Sequence, residues 1–441
     1  MKKITVVFLL LGLAFILPLT IRADQERGRK DRDDRDDRDG RGMEHHEHNV
    51  KTPVGLVGVI PVPGNPVISA DISWVDPGTE RYYFADRSNF GVDIIDAEDN
   101  VFVGRVTGMA GPLPVGGGTA TTNGPGPNGV LVTPNRHLWA GDGNSTVKIA
   151  DVDPNSPTYL NIIGSTSTSI PACDNASAHY CGRADELGYD PKHRLILIAN
   201  NAPLSTVAPH APIAPYATFI SAVSPYSVLG HVSFADAGGL EQPLWDAEIG
   251  RFLLTVPGKI GVSNPSIAVI NPTTMKVEKT YSLDCQMRAG NASVSTTGIA
   301  LGPFQHVLVS ACGFPIILDA LTGHVFNDIK QVGGGDEVWF NPGDGRFYVT
   351  GADMSTTPPS LVQSLGVIDA QTSTWLQNVP DVRGKNPAAF AENNHIFTIV
   401  QITAAMVAAP ATDNSTCAQF GFKGTGCVAI FEHTEKAEND R

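Results

Sequence analysis

The sequence predicts an all-β chain: a seven-bladed β-propeller of four-stranded antiparallel blades, with its ring closed by the N-terminal strand. A short pattern recurs seven times: a polar residue, four mostly apolar residues, a turn, then a strongly apolar run. The copies begin at Asp71, Asn128, Asp185, Glu241, Thr297, Asp336 and Asn386, spaced 57, 57, 56, 56, 39 and 50 residues apart. A strand-built period of this size marks a radial β-array. The 45 Gly and 32 Pro suit many turns and few helices.

Taken in order, residues 1–23 read as a secretory signal peptide. Lys2 and Lys3 precede an apolar run from Ile4 to Leu19, broken by Pro18, and Ala23 suits cleavage. Residues 24–50 form a charged leader of ten acids and seven bases, with too little apolar surface to offset the entropy of ordering. Its His45, His46 and His48 read first as part of a soluble spacer, with loose Zn²⁺ or Cu²⁺ capture as the alternative. Residues 51–435 are the propeller, and residues 436–441 a disordered tail.

Within each repeat an inner strand meets a tight turn, such as Asp76-Pro77, Thr133-Pro134, Asp190-Pro191 or Asn341-Pro342. Proline presets the backbone of such turns, and Asp, Asn or Thr bonds their amides. The second strands, RYYFA, RLILIA and RFYVT among them, are rich in aromatic and β-branched residues. The segment GLVGVIPV at 55–62 is an orphan strand, and CVAIFEH at 427–433 ends an incomplete blade. Pairing the two closes the ring and removes an open edge.

The phrases VIDAQTSTW from Val367, VINPTTMKV from Val269 and IPVPGNPV from Ile60 make the chain resemble the secreted YVTN-type propellers. More distantly, it is similar to the senescence-marker/gluconolactonase propellers. The resemblance spans roughly residues 51–435. The Trp-Asp ends of WD-repeat blades are missing.

The seven aligned starting residues all bear side-chain oxygen, and four are carboxylates: Asp71, Asp185, Glu241 and Asp336. The first strand of a propeller blade lines the central channel, so these residues predict a ring at its mouth. In one reading the ring is a wet funnel whose side chains cap inner-strand amides. In the other, crowded carboxylates recruit a hard divalent cation, Ca²⁺ or Mg²⁺, to all seven positions. Glu186 and Glu337, one place further along, add two acids. Asp185, Glu186, Asp336 and Glu337 are the catalytic candidates. Resemblance to gluconolactonases implies a channel metal that polarises a lactone carbonyl, with Asn128-Gly129 and Asp336 or Asp185 at matching places. Asp344 is expected to be an exposed turn residue outside the ring.

The longest insertions, 107–127, 164–184, 200–217, 352–364 and 401–426, fall in links on the mouth face. Six cysteines in an exported chain predict disulfides, here Cys173–Cys181, Cys285–Cys312 and Cys417–Cys427. The Gly-rich 115–129 stretch lacks the features of a phosphate loop. His137, His193, His306 and His395 recur near the first turns, and Trp74, Trp245 and Trp339 are expected to pack between blades. The formal charge of −14 becomes −17 without Lys2, Lys3 and Arg22, which disfavours nucleic acid and anionic membranes as partners. The expected function is binding of a small-molecule or protein ligand at a loop-rich acidic mouth by a periplasmic or secreted protein. The alternative is a metal-dependent lactonase or esterase.

Overall fold

The computed structural model describes residues 52–110, 126–170, 183–201 and 214–434. The leader with its three histidines, most of the Gly-rich stretch, and Cys173 with Cys181 lie outside the described residues. Each repeat forms one four-stranded antiparallel sheet, and there are seven. The inner strands are Ser73–Asp76, Pro127–Thr133, Ala184–Asp190, Pro243–Asp246, Thr296–Leu301, Val338–Asn341 and Gly384–Phe390. Each inner strand contacts those of the neighbouring blades in a closed circle. The chain is a seven-bladed β-propeller.

The burial pattern explains the sequence of each strand. Second strands are sandwiched on both faces, as in Leu195–Asn200, where all six residues are buried. They therefore read as continuous apolar runs. Fourth strands lie outside and alternate, as in Val228–Ser233. The core is divided into seven apolar clusters, each shared by two adjacent blades. At the junction of the last and first blades, Tyr82 packs on Phe397 with ring centroids 5.0 Å apart. Burying one such side chain contributes roughly 1.5–3 kcal/mol, so the blades hold one another in place.

Turn chemistry also follows the repeat. The residue before each second strand has positive φ: Glu80, Arg136, Arg194, Gly250, Gln305, Gly345 and Asn394. Asp190 Oδ1 accepts from the amides of Lys192 and His193 at 2.8 and 3.1 Å. Asp246 and Asn341 accept similarly from their own turns. Asp344 departs from expectation. It is 8% exposed, accepts from Tyr348 Oη, and lies 2.8 Å from His433 Nε2. It is a buried link between the sixth and seventh blades because the closing strand brings His433 onto it.

Closure occurs as expected. Val54–Pro61 pairs with Cys427–His433 from Val54↔His433 to Pro61↔Cys427, with a bulge between Leu56 and Gly58. Gln377 of the sixth blade secures this strand by donating 2.8 Å to the Val54 carbonyl. Two of the expected disulfides are present. Cys285–Cys312 joins the fourth and fifth blades, and Cys417–Cys427 ties the last insertion to its blade.

Candidate functional site

Four inner strands lose their regular pairing where the aligned polar residues stand. Register shifts fall between Pro127 and Val130, Ala184 and Leu187, Thr296 and Ile299, and Lys385 and Ala388. In the other three blades the regular strand begins only after the polar residue. A broken ladder frees these residues to bond sideways to the next blade. Gly129 permits one close approach: a Cβ there would meet the Asp185 carbonyl oxygen at 2.3 Å and Glu186 Cα at 2.5 Å. Gly298 does the same against Glu337 Cα at 2.7 Å. The Asn128-Gly129 pair thus has a packing role between blades.

The seven aligned residues stand at or near the starts of the inner strands. The neutral ones stitch blades together. Asn128 Nδ2 donates 3.1 Å to the Ala184 carbonyl, Thr297 Oγ1 donates 2.9 Å to Gly335, and Asn386 Nδ2 donates 3.0 Å to Asp71. These three bonds go to backbone carbonyls rather than to the inner-strand amides that the wet-funnel reading expects them to cap.

The acidic ones meet bases. The Arg87 guanidinium donates to Asp71 and to Asn128. Arg183 meets Asp185 Oδ2 at 2.7 Å through Nε and 2.6 Å through a terminal nitrogen. Lys385 Nζ lies 3.0 Å from Asp336 and 3.8 Å from Asp71. Asn201 bridges Asp185 and Glu241 at 3.4 and 3.3 Å. Arg87, Arg183 and Lys385 therefore supply counter-charge of the kind expected from a divalent cation. Among the described residues, no group of three His, Cys, Asp or Glu side chains is gathered to hold a metal.

The electrostatics divide the layer. Burial pushes the Asp336 carboxyl up, but Lys385 outweighs it and holds its pKa below the ordinary value. Burial raises Asp185 despite Arg183, with Asp71 adding repulsion. Burial and repulsion from Asp185 hold Glu241 well above the usual range.

Glu186 and Glu337 sit one residue deeper, each 3% exposed. They come from the third and sixth blades, and each lies near enough to the other to perturb its titration. Glu186 Oε2 and both Glu337 oxygens lack a protein donor. Burial and mutual proximity hold the pKa of Glu186 well above normal, and burial with nearby Asp336 does so for Glu337. Both carboxyls are therefore held toward their protonated forms.

A polar cavity of about 360 Å³ adjoins the layer between the sixth and seventh blades. Gly334, Gly335, Asp336, Gln363 and Lys385 are among its lining residues. The four histidines of the first turns lie elsewhere, and His193 bonds its turn residue Asp190 at 2.5 Å. Sequence reasoning passed over Arg87, Arg183 and Lys385. Two of them carried a signal: Arg183 stands two residues before Asp185, and Lys385 immediately before Asn386. Arg87 reaches the layer from the link after a second strand, so nothing in its local spacing marks it.

The fold has solved counterparts. The chain is similar to the WD40 β-propeller domain of Doa1, with TM-score 0.53, 12% identity, and coverage of 87% of this chain and 98% of that one. A chain in a mitotic checkpoint complex gives TM-score 0.52 and 12% identity, covering 87% of this chain and 95% of its own. Likeness at this identity concerns the fold alone, and it arises without Trp-Asp blade ends. No protein-family model and no curated protein matches the sequence.

Proposed function

We propose that this chain is an exported propeller of the YVTN type that binds a small polar ligand at the channel mouth. The observation that carries this reading is the polar cavity beside Asp336 and Lys385. Their side chains are 39% and 22% exposed, so a ligand reaches both a carboxylate and an ammonium group. The mouth layer and the glutamate pair hold six acids, Asp71, Asp185, Glu186, Glu241, Asp336 and Glu337, against three bases, Arg87, Arg183 and Lys385. With Glu186, Glu241 and Glu337 held toward their neutral forms, the three aspartates and three bases nearly balance, so the exposed Asp336–Lys385 pair favours a zwitterionic ligand over an anion. The two disulfides agree with an oxidising compartment, and no described helix is long and apolar enough to cross a membrane.

A metal-dependent lactonase or esterase at the same mouth is the second reading. One observation favours it: Glu186, Glu241 and Glu337 retain protons that a Ca²⁺ or Mg²⁺ ion would displace, and their donors are all oxygen. Against it, the mouth carboxylates already have resident cations. Calorimetric titration of the mature protein with zwitterionic and cationic small molecules tests the binding reading. Saturable binding weakened by Lys385→Met supports it, and no heat from any of them removes it. Chelator-sensitive turnover of a lactone would favour the enzyme instead.

A further inference from the structure

Below the Glu186–Glu337 layer the channel changes character. The residues that follow the two glutamates, Leu187 and Val338, line a second cavity of about 420 Å³. It lies toward the first turns, away from the mouth. Its wall includes Trp74, Trp245, Trp339, Tyr189, Leu244 and Leu301. Trp74 and Trp339 meet edge to face with centroids 5.4 Å apart. Exposed Pro134 and Pro191 stand at the rim, so the cavity opens to solvent on that side.

Polar groups here are few and specific. Gln242 Oε1 accepts 2.5 Å from the Ile299 amide, which fixes the side chain. Its Nε2 then has no hydrogen-bond partner among the described residues. Gln242 Nε2 is thus the donor that the cavity wall offers to an acceptor from outside the chain.

We propose that this cavity binds a small uncharged aromatic molecule bearing a hydrogen-bond acceptor such as a carbonyl. The volume falls in the range of small-molecule sites and is too small for a folded partner. Aromatic walls reward ring burial. A charged or sugar-like ligand would lose hydration that Gln242 and Tyr189 cannot replace. The site is separate from the cavity beside Asp336 and Lys385, with which it shares no lining residue.

Prodan, an uncharged naphthalene ketone with environment-sensitive emission, is the test probe. Titration into the full mature chain is expected to give saturable, blue-shifted emission with one site per chain. Tryptophan emission should be quenched with the same midpoint. Leu301→Trp and Leu244→Trp each fill the cavity and should weaken binding at least tenfold. Val277→Trp adds an indole on an exposed outer strand and should bind like the parent. Linear, unsaturable uptake by the parent overturns the proposal, as does binding by both cavity-filling variants at parental affinity. If neither of those variants folds, unsaturable quenching of the parent's tryptophans overturns it alone.

Discussion

Glu186 and Glu337 approach each other from opposite blades of the ring, and no protein donor reaches three of their four carboxyl oxygens. Their backbones are placed by Gly129 and Gly298, each of which lies against the Cα of one glutamate. Two glycines in the mouth layer thus set the distance between two acids on the channel axis.

This pairing sets a pH dependence. Glu186, Glu241 and Glu337 have folded-state pKa values well above the ordinary 4.5, chiefly through burial. The folded state then binds more protons than the unfolded chain between the two values. Their contribution is fully present below about pH 4.5 and is lost as pH rises through the folded pKa. Each unit of pKa elevation removed is worth about 1.4 kcal/mol above that window. Glu337→Gln keeps a donor and deletes a charge. It should melt higher than the parent at pH 8 and equally at pH 4.5 by calorimetry. Equal melting at both values would contradict the retained proton.

The two mouth ion pairs should differ in cost. Arg87 and Asp71 have side chains only 7% and 9% exposed, so Arg87→Met strands a buried carboxylate and should cost about 3 kcal/mol or more. The Lys385–Asp336 pair is partly solvated, and Lys385→Met should cost about 1 kcal/mol or less. Urea denaturation measures both, and the reverse order would contradict the burial assigned here.

Closure by Val54–Pro61 should be necessary for a stable ring. Without residues 52–61, Cys427–His433 would present an unpaired edge, and its cluster would lose Val54, with Leu56 and Val59 beside it. Melting temperature should fall sharply and size-exclusion should show self-association. A truncated protein that melts as a monomer at the parental temperature would refute this.

Chelator followed by Ca²⁺ tests where the counter-charge comes from. With Arg87, Arg183 and Lys385 in place, the melting temperature should stay constant in both steps. A rise with added Ca²⁺ would show a cation bound preferentially to the folded state and would support the metal reading.

The disulfides close sequence separations of 27 and 10 residues. In the chain-entropy account, losing Cys285–Cys312 should cost about 0.9 kcal/mol more than losing Cys417–Cys427. Paired Cys→Ala variants in urea would measure the difference. Equal costs would point to strain or residual structure in the reduced chains.

Fold and closure were determined by the sequence itself, because they depend on local quantities. Strand periodicity, turn residues such as Asp190 and Asn341, and the orphan segment at 55–62 can each be read in place. The recurring polar position at the start of each inner strand was legible for the same reason, since every blade repeats the same register. Tertiary structure alone decided what those positions meet. Arg87 arrives from a link after a second strand, and His433 arrives on Asp344 only once the ring has closed. Glu186 and Glu337 are 151 residues apart yet come near enough to shift each other's titration. Trp74, Trp245 and Trp339 read as blade packing, yet they also wall a cavity. Such meetings depend on how seven blades close around one axis, and no local stretch of sequence carries that distance.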